Sequence, residues 1–413
     1  MSARVLLGDV VVGELRPDIA SQSTALEFDA GYASRGDRPI LGRWFEDHVL
    51  DPPREFRGRP LPAYFRNLLP EGALRRIVEA RLGPSALPEY TMLLRLGEHL
   101  PGAVRVLGDE LDPSPLEVSE RDRRAAGDPF RFALTGVQPK LSLAQAGDRL
   151  TLPLEGHGGD WIAKFGSPAY RDLVRNELTM LDWADACGLL VPERRVIRAE
   201  EIEHLPPDFE PDEEVLIVRR FDRGAGARIH QEDFAQVFDI APEERYAWEL
   251  ADRSFAHFGS IGAIVRMICG EPDFFEYMRR LVFMVLSGNG DAHLKNWALY
   301  YPDPGGLRAR LAPLYDFVAT VAYSNGDRSA LRWDEPPEPT IEPPKRLAEV
   351  TDDDLLIVAS SAASVADVDT SRVLDDLHAF AVEVRASWRE VEANAPEIVR
   401  NAVTAHLAAA AVK

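Results

Sequence analysis

Between Phe274 and Leu286 nearly every face of a helix would be apolar. Phe274, Met278, Leu281 and Val285 make one stripe at spacings of four, three and four, with Phe275, Val282 and Leu286 beside it. A helix apolar on almost all sides must be surrounded, so this stretch predicts a helical layer thick enough to bury it. The run stops at Ser287-Gly288-Asn289-Gly290, residues that tolerate unusual backbone angles. Asp291, His293, Lys295 and Asn296 are then packed into six positions before Trp297, Ala298, Leu299 and Tyr300 resume a strand-like apolar run. A polar cluster clamped between buried elements is held rigidly.

The rest of the chain supplies other layers. The opening 30 residues alternate apolar runs with turns, Val5-Leu6-Leu7, Gly8-Asp9, Val10-Val11-Val12, Gly13 and Leu26-Glu27-Phe28, which predicts a hairpin and a further strand. From Tyr64 to Leu82, Phe65, Leu68, Leu69, Leu74, Ile77, Val78 and Leu82 recur at helical spacing around the break Pro70-Glu71-Gly72. Residues 108–128 lose apolar periodicity and gather Asp, Glu, Pro, Ser and Arg, the composition of a solvated connection. Strand-like segments follow at Phe130 to Leu134, Lys140 to Ala144, Asp160 to Phe165 and Glu214 to Arg220, with a helix from about Arg171 to Cys187. The expected divisions are a small mixed N-terminal subdomain (1–107), a connection (108–128), a sheet-rich lobe (129–223) and a helical C-terminal lobe (224–413). That order is α+β, with a cleft between lobes as the natural ligand site. The patch from Asp334 to Pro344 reads as an exposed loop.

With 413 residues and 46% hydrophobic content, the chain has material for two or three cores, which argues against disorder over most of its length. No apolar run approaches the roughly 18 residues that span a bilayer, and Met1-Ser2-Ala3-Arg4 is not followed by a signal-peptide core, so a soluble, cytoplasmic protein with no membrane association is expected. Cys187 and Cys269, both in apolar surroundings, read as packing residues and not as a disulfide framework or a thiolate metal cage. A formal net charge of −21 repels a phosphate backbone, which disfavours autonomous nucleic-acid binding and favours a basic protein partner.

Asp291 and Asn296 stand five apart, the spacing of a kinase catalytic loop in which the Asp orients the attacking hydroxyl and the Asn holds magnesium. Twenty residues after Asn296, Asp316 closes the apolar segment Leu311-Ala312-Pro313-Leu314-Tyr315, where a kinase places its main metal-binding acid. Singly, Asp291 and Asn296 read as turn and capping residues, Lys295 as a solvated charge and Asp316 as a helix cap. The ordered set instead points to phosphoryl transfer from ATP, whose catalysis is mostly positioning and charge stabilisation. Lys164 closes the strand Trp161-Ile162-Ala163, and Glu177 shares a helical stripe with Leu173, Met180 and Ala184, an inward position costly for a carboxylate unless paired. In the kinase plan its partner is a strand lysine that also contacts nucleotide phosphates. Thr135-Gly136-Val137-Gln138-Pro139-Lys140 lies between two strand-like runs and is a candidate phosphate-covering turn, although Pro139 removes one donor. The sequence contains no Gly-x-x-x-x-Gly-Lys-Ser/Thr motif, which argues against a Walker-type NTPase.

Several stretches together resemble the HipA-like serine/threonine kinases, the toxin half of bacterial toxin–antitoxin pairs. They are Leu134-Thr135-Gly136-Val137-Gln138-Pro139-Lys140, Ile162-Ala163-Lys164, Asn176-Glu177, Arg220-Phe221-Asp222-Arg223, His230-Gln231-Glu232-Asp233, Asn289-Gly290-Asp291-Ala292-His293-Leu294-Lys295-Asn296 and Pro313-Leu314-Tyr315-Asp316, in the family's order. Asn67-Leu68-Leu69-Pro70-Glu71-Gly72 and Pro101-Gly102-Ala103-Val104 resemble the family's amino-terminal module, so the resemblance covers nearly the whole chain. It implies a protein-kinase-like, two-lobed fold with Asp291 as the base and Asn296 and Asp316 as Mg2+ ligands. It further implies ATP bound by Lys164, paired with Glu177, by the turn from Thr135 to Lys140, and by Arg219, Arg220 and Phe221 through backbone groups at the adenine. His293, Lys295 and Tyr315 would contact nucleotide beside the metal site.

The same resemblance implies a protein substrate, in the best-known branch an aminoacyl-tRNA synthetase whose phosphorylation halts translation. It implies a small helix-turn-helix antitoxin as partner, with DNA contacted mainly through that antitoxin. One position departs from the pattern. Two residues before Thr135 the family commonly carries a serine whose autophosphorylation ejects the phosphate-binding turn, and here stands Ala133. The switch is either lacking or moved to a neighbouring hydroxyl such as Thr135 or Ser142. Two other readings remain beside this one: a small-molecule or lipid kinase, because Asp-x-His-x-x-Asn also resembles the lipid-kinase loop, and a catalytically silent co-repressor acting with a DNA-binding antitoxin.

Overall fold

The alternating runs at the start of the chain form β1 (Ala3–Leu7), β2 (Val10–Asp18) and β3 (Ser23–Phe28), which join β4 (Glu55–Gly58) and β5 (Val104–Gly108) in one antiparallel sheet ordered β4-β3-β2-β1-β5. Gly8 makes the β1–β2 turn possible, with a left-handed φ of 58° that a side chain would resist. Val5, Leu15 and Leu26 face inward, Val12 joins them where the β1–β2 register shifts, and all pack with Phe28, Phe45, Tyr64 and Phe65. Helix α1 (Pro88–Leu96) contributes Met92 and Leu93 to the same core. This computed structural model describes residues 2–46, 55–71, 85–108, 140–146, 149–151, 159–205, 209–224, 227–303, 308–323, 326–338 and 340–412, together with positions 75, 78, 79 and 82. The expected strand from Phe130 to Leu134, the connection 109–128, Ala133, and Thr135, Gly136, Val137, Gln138 and Pro139 of the candidate turn lie outside the described residues.

A second sheet contains β6 (Lys140–Ala146), β7 (Arg149–Thr151), β8 (Trp161–Lys164), β9 (Arg194–Arg198), β10 (Ile202–Glu203) and β11 (Glu214–Arg219), ordered β10-β7-β6-β8-β11-β9. Leu143, Trp161, Ala163, Phe165, Val215 and Ile217 form its core. Both sheets belong to one compact unit, Met1–Arg171 with Arg194–Pro242 and Tyr300–Leu307.

The other unit, Asp172–Glu193, Glu243–Leu299 and Arg308–Lys413, is helical. It holds α2 (Leu173–Ala186), α3 (Phe258–Ile268), α4 (Glu271–Ser287), α5 (Asp352–Ala363), α6 (Thr370–Val391) and α7 (Glu397–Ala409). As its apolar circumference requires, α4 is enclosed: every residue from Tyr277 to Ser287 except Arg279 is buried. Trp183 of α2 packs edge-on to Phe283 of α4 at 5.1 Å and against Trp388 of α6 at 4.5 Å. That contact explains why α2, although within the expected sheet-rich stretch 129–223, folds with the helical unit, while residues 224–242 fold with the sheets. The fold is α+β. No helix among the described residues is long and apolar enough to cross a membrane. Both cysteines are free thiols, and burial raises that of Cys187 to about 11 beside the Ser387 hydroxyl at 3.1 Å.

Candidate active site

The candidate loop begins where α4 ends. Gly288 adopts φ 75°, its N–H meets the Val285 carbonyl at 3.3 Å, and the Asn289 N–H meets that of Met284 at 3.0 Å. A Cβ at Gly288 would lie 2.4 Å from Val321 Cγ2, and one at Gly290 2.3 Å from the Arg328 carbonyl oxygen, so packing demands glycine at both and backbone angle at the first. The Thr320 hydroxyl accepts from the Gly290 N–H at 2.6 Å and lies within donating distance of the Gly288 and Gly326 carbonyls, at 3.1 and 2.5 Å. The turn is thus held from both sides.

Beyond it the chain folds onto itself. The Asp291 N–H donates to Asn289 Oδ1 at 2.9 Å, Asn296 Nδ2 donates to the Asp291 carbonyl at 2.7 Å, and Trp297 Nε1 donates to that of Ala292 at 3.1 Å. The Tyr246 hydroxyl donates to Asp291 Oδ1 at 2.7 Å. Burial, then the Asp291 charge, raises the phenol well above its ordinary range, so it remains a donor at neutral pH. His293 is buried, and desolvation together with the Arg245 charge lowers its imidazole to about 3. It is neutral under physiological conditions, and its Nδ1 is buried with no hydrogen-bond partner among the described residues.

Asp316 arrives on a separately anchored segment. The buried Arg280 guanidinium of α4 donates to the Ala312 carbonyl at 2.6 Å and, through Nε, to Glu276 at 2.8 Å, while the Leu314 N–H meets the Leu190 carbonyl at 2.8 Å. Beyond the acid, Asn176 of α2 grips Ala319 at two points: Oδ1 accepts its N–H at 2.9 Å and Nδ2 donates to its carbonyl at 3.2 Å. Asp316 itself sits at φ 52°, a left-handed conformation that aspartate tolerates better than most side chains. The Tyr315 hydroxyl donates to the Lys295 carbonyl at 2.9 Å, joining this segment to the loop, and the Asp316 charge acts on His293. Asp291, His293, Lys295, Asn296, Tyr315 and Asp316 therefore converge in the helical unit. Asn296 Nδ2 is spent on the Asp291 carbonyl, which leaves its amide oxygen as an acceptor, and that oxygen and the Asp316 carboxylate are both hard donors of the type Mg2+ takes.

The other expected residues have different surroundings. In the sheet unit, Lys164 is buried at the end of β8, in register with Lys140 of β6 on one side and Leu216 of β11 on the other; Lys140 is exposed. Arg219 ends β11 exposed, and the Phe221 ring meets Tyr300 edge-on at 6.2 Å. The Arg220 N–H donates to the Asp160 carbonyl at 2.8 Å, and its guanidinium grips buried Asp222 at 2.8 and 2.7 Å. Asp222 also accepts from Arg223 at 2.7 Å and from the Gly102 N–H at 2.9 Å. Burial opposes its ionisation, but these partners hold the carboxyl below its ordinary value. The Arg220 side chain is therefore a structural anchor. Ser142 has a similar duty, accepting from the Gly159 N–H at 3.1 Å with Arg220 Nη1 at 3.3 Å. Glu177 is buried on α2 of the helical unit, on the inward face its spacing predicts. Tyr246, Thr320 and Arg280 join the site from elsewhere in the chain, and of the three only Arg280, a charge within an apolar helix, carries a signal in the sequence.

Comparison with known proteins gives the family. A model described as HipA-like C-terminal domain matches residues 132–405, and one described as HipA N-terminal domain matches residues 3–107. A Sinorhizobium fredii protein named "Putative kinase Y4dM" is 34% identical over 388 residues, spanning 92% of this chain and 90% of that protein. The serine/threonine-protein kinase toxin HipA of Shewanella oneidensis is 24% identical over 358 residues, 77% of this chain and 75% of that one. The fold is also similar to that of the solved Shewanella oneidensis HipA, HipB and operator DNA complex, with a TM-score of 0.72 at 20% identity, over 98% of this chain and 96% of that chain. With both domain models matched in order and a relative aligned along nearly its full length, the chain belongs to the HipA-like family.

Proposed function

We propose that this protein is an ATP- and Mg2+-dependent serine/threonine protein kinase acting as the toxin of a toxin–antitoxin pair. The convergence of Asp291, Asn296 and Asp316 carries the reading, because it joins an oriented carboxylate to a pair of hard-oxygen donors. In this mechanism Asp291 accepts the hydrogen bond of the substrate hydroxyl and aligns its oxygen with the γ-phosphorus. As the new phosphorus–oxygen bond forms, the bond to the β–γ bridging oxygen breaks, ADP departs, and Asp291 takes the hydroxyl proton. Asn296 and Asp316 would hold Mg2+, which when bound supplies neutralisation of phosphate charge. Lys164, Glu177 and the segment from Thr135 to Lys140 would serve nucleotide binding, with backbone groups of Arg219 to Phe221 at the adenine. His293, being neutral, would meet the nucleotide without adding charge.

The substrate in this reading is a translation component such as an aminoacyl-tRNA synthetase, and its phosphorylation arrests growth in the cytoplasm. The net charge of −21 suits a basic helix-turn-helix antitoxin that carries the DNA contact. Purified protein incubated with γ-labelled ATP, Mg2+ and a bacterial lysate should label a discrete protein, and Asp291→Asn should abolish the label. Equal labelling by the variant would sink the assignment. Label in the lipid or low-mass fraction would identify a different acceptor. Growth arrest on expression should be relieved by Asp316→Asn.

A further inference from the structure

We infer that Tyr246 is a positioning residue of the phosphoryl-transfer site, fixing the Asp291 carboxylate in the orientation that receives the acceptor hydroxyl; the inference rests on the kinase reading above. Three observations support it. The first is the hydrogen bond itself, from the phenol to Oδ1 at 2.7 Å, a charge-assisted contact stronger than one between neutral groups. Together with the backbone ties at the Asp291 N–H and carbonyl, it holds the residue at three separate atoms.

The second is the turn that presents the tyrosine. Ala247, buried, stands at φ 54°, and the Trp248 N–H closes on the Tyr246 carbonyl at 2.5 Å. A left-handed residue with a Cβ costs about 1–2 kcal/mol. Such conformations persist where surrounding structure enforces them, commonly beside reacting groups. Here the enforcement is visible: the Ala247 N–H bonds the Glu244 carbonyl at 2.8 Å, and the Leu250 N–H bonds that of Ala247 at 3.1 Å. Third, the same segment is tied directly to the loop. The Leu294 N–H donates to the Arg245 carbonyl at 3.2 Å, and the Tyr246 ring meets His293 edge-on at 5.2 Å and 86°.

A hydroxyl donating to Asp291 is also what a substrate serine would do, so a tyrosine at this place could instead block the acceptor position. A blocking group has to leave. Tyr246 is built into an enforced turn and tied to the loop by both backbone and ring, which favours a fixed support.

The labelling reaction above is run at varied ATP with wild type, Asp291→Asn and Tyr246→Phe, together with thermal melts. Tyr246→Phe should lower the maximal labelling rate by about 10- to 100-fold, the scale of a misplaced reacting group, while KM for ATP stays within about twofold. The melting temperature should hold, and 4-aminophenylalanine at position 246, which restores an N–H donor on the same ring, should recover much of the rate. An unchanged rate in Tyr246→Phe with no label in Asp291→Asn would overturn the positioning role alone. A raised rate would make Tyr246 a block. Loss of rate that tracks a lowered melting temperature, with no recovery by the amino variant, would reduce it to a packing residue. Equal labelling by wild type and Asp291→Asn would remove the kinase reading itself, and this inference with it.

Discussion

Replacing one buried amide should loosen an acid that it does not touch. Asn176 is fully buried on α2, and its two hydrogen bonds satisfy both backbone groups of Ala319, which has no solvent exposure either. Asn176→Ala strands that N–H, whereas the carbonyl keeps the Ala322 N–H at 3.2 Å. A buried polar group left unpaired costs about 1–3 kcal/mol, and the stranded N–H should cost that much. The Tyr323 hydroxyl, 3.2 Å from Nδ2, is only half-buried and can turn to solvent, so it adds little. Urea unfolding should show a lower midpoint at unchanged slope. Because Ala319 lies three residues beyond Asp316, the same variant should transfer phosphate more slowly and need more Mg2+ for half-maximal rate. Tyr323→Phe serves as the control and should cost under about 0.5 kcal/mol, the range of an exposed change. If the two variants shift the midpoint equally, or if Asn176→Ala shifts it by less than about 0.5 kcal/mol, the Ala319 N–H has another partner and the clamp is not what places Asp316.

Two further outcomes follow from the geometry. Gly288→Ala imposes a left-handed alanine, about 1–2 kcal/mol, and a Cβ 2.4 Å from Val321, about 1–3 kcal/mol of overpacking. Gly288→Ala/Val321→Ala should recover the second part, and wild-type stability in the single variant would contradict the packing. In the sheet unit, buried Glu232 accepts from the Arg43 N–H at 3.0 Å and the Tyr301 hydroxyl at 2.5 Å, and burial pushes its carboxyl up to about 7 from the usual 4.5. A raised acid keeps its proton longer in the folded state, so its contribution is complete below about pH 4.5 and declines by about 3 kcal/mol as pH rises to about 7. Glu232→Gln should therefore gain on wild type across that window, and parallel stability–pH curves would refute the assignment.

Local periodicity encodes much of this protein, and those parts were legible. The stripe from Phe274 to Leu286 announced α4, which runs from Glu271 to Ser287, and the spacing of Leu173, Glu177, Met180 and Ala184 put Glu177 on the buried face of α2. The loop from Asp291 to Asn296 was legible for a different reason: polar residues crowded between two buried runs have few structural duties to share. Contacts between distant segments leave no such trace. Tyr246 reaches Asp291 across 45 positions, and Asn176 reaches Ala319 across 143. Arg220-Phe221-Asp222-Arg223 stood out as a motif, yet only the structure shows that its charges grip one another and Gly102.

Most of the contacts that escaped the sequence reading share one property. Thr320 holds Gly290, Asn176 holds Ala319, Arg280 holds Ala312 and Tyr315 holds Lys295, in each case by a backbone group. A clamp on the main chain fixes where a segment runs while leaving the held residue's side chain to other work. That separates two classes of substitution. Loss of a clamp strands buried backbone groups, so it should reduce stability and phosphoryl transfer together. Asp291→Asn strands none: its N–H and carbonyl keep Asn289 and Asn296, and the new amide oxygen still accepts from Tyr246. It should therefore abolish transfer while lowering stability by only about 1 kcal/mol, the difference between a charge-assisted and a neutral hydrogen bond from Tyr246. A large loss of stability in that variant would mean that the loop is held by the carboxylate itself and not by its backbone.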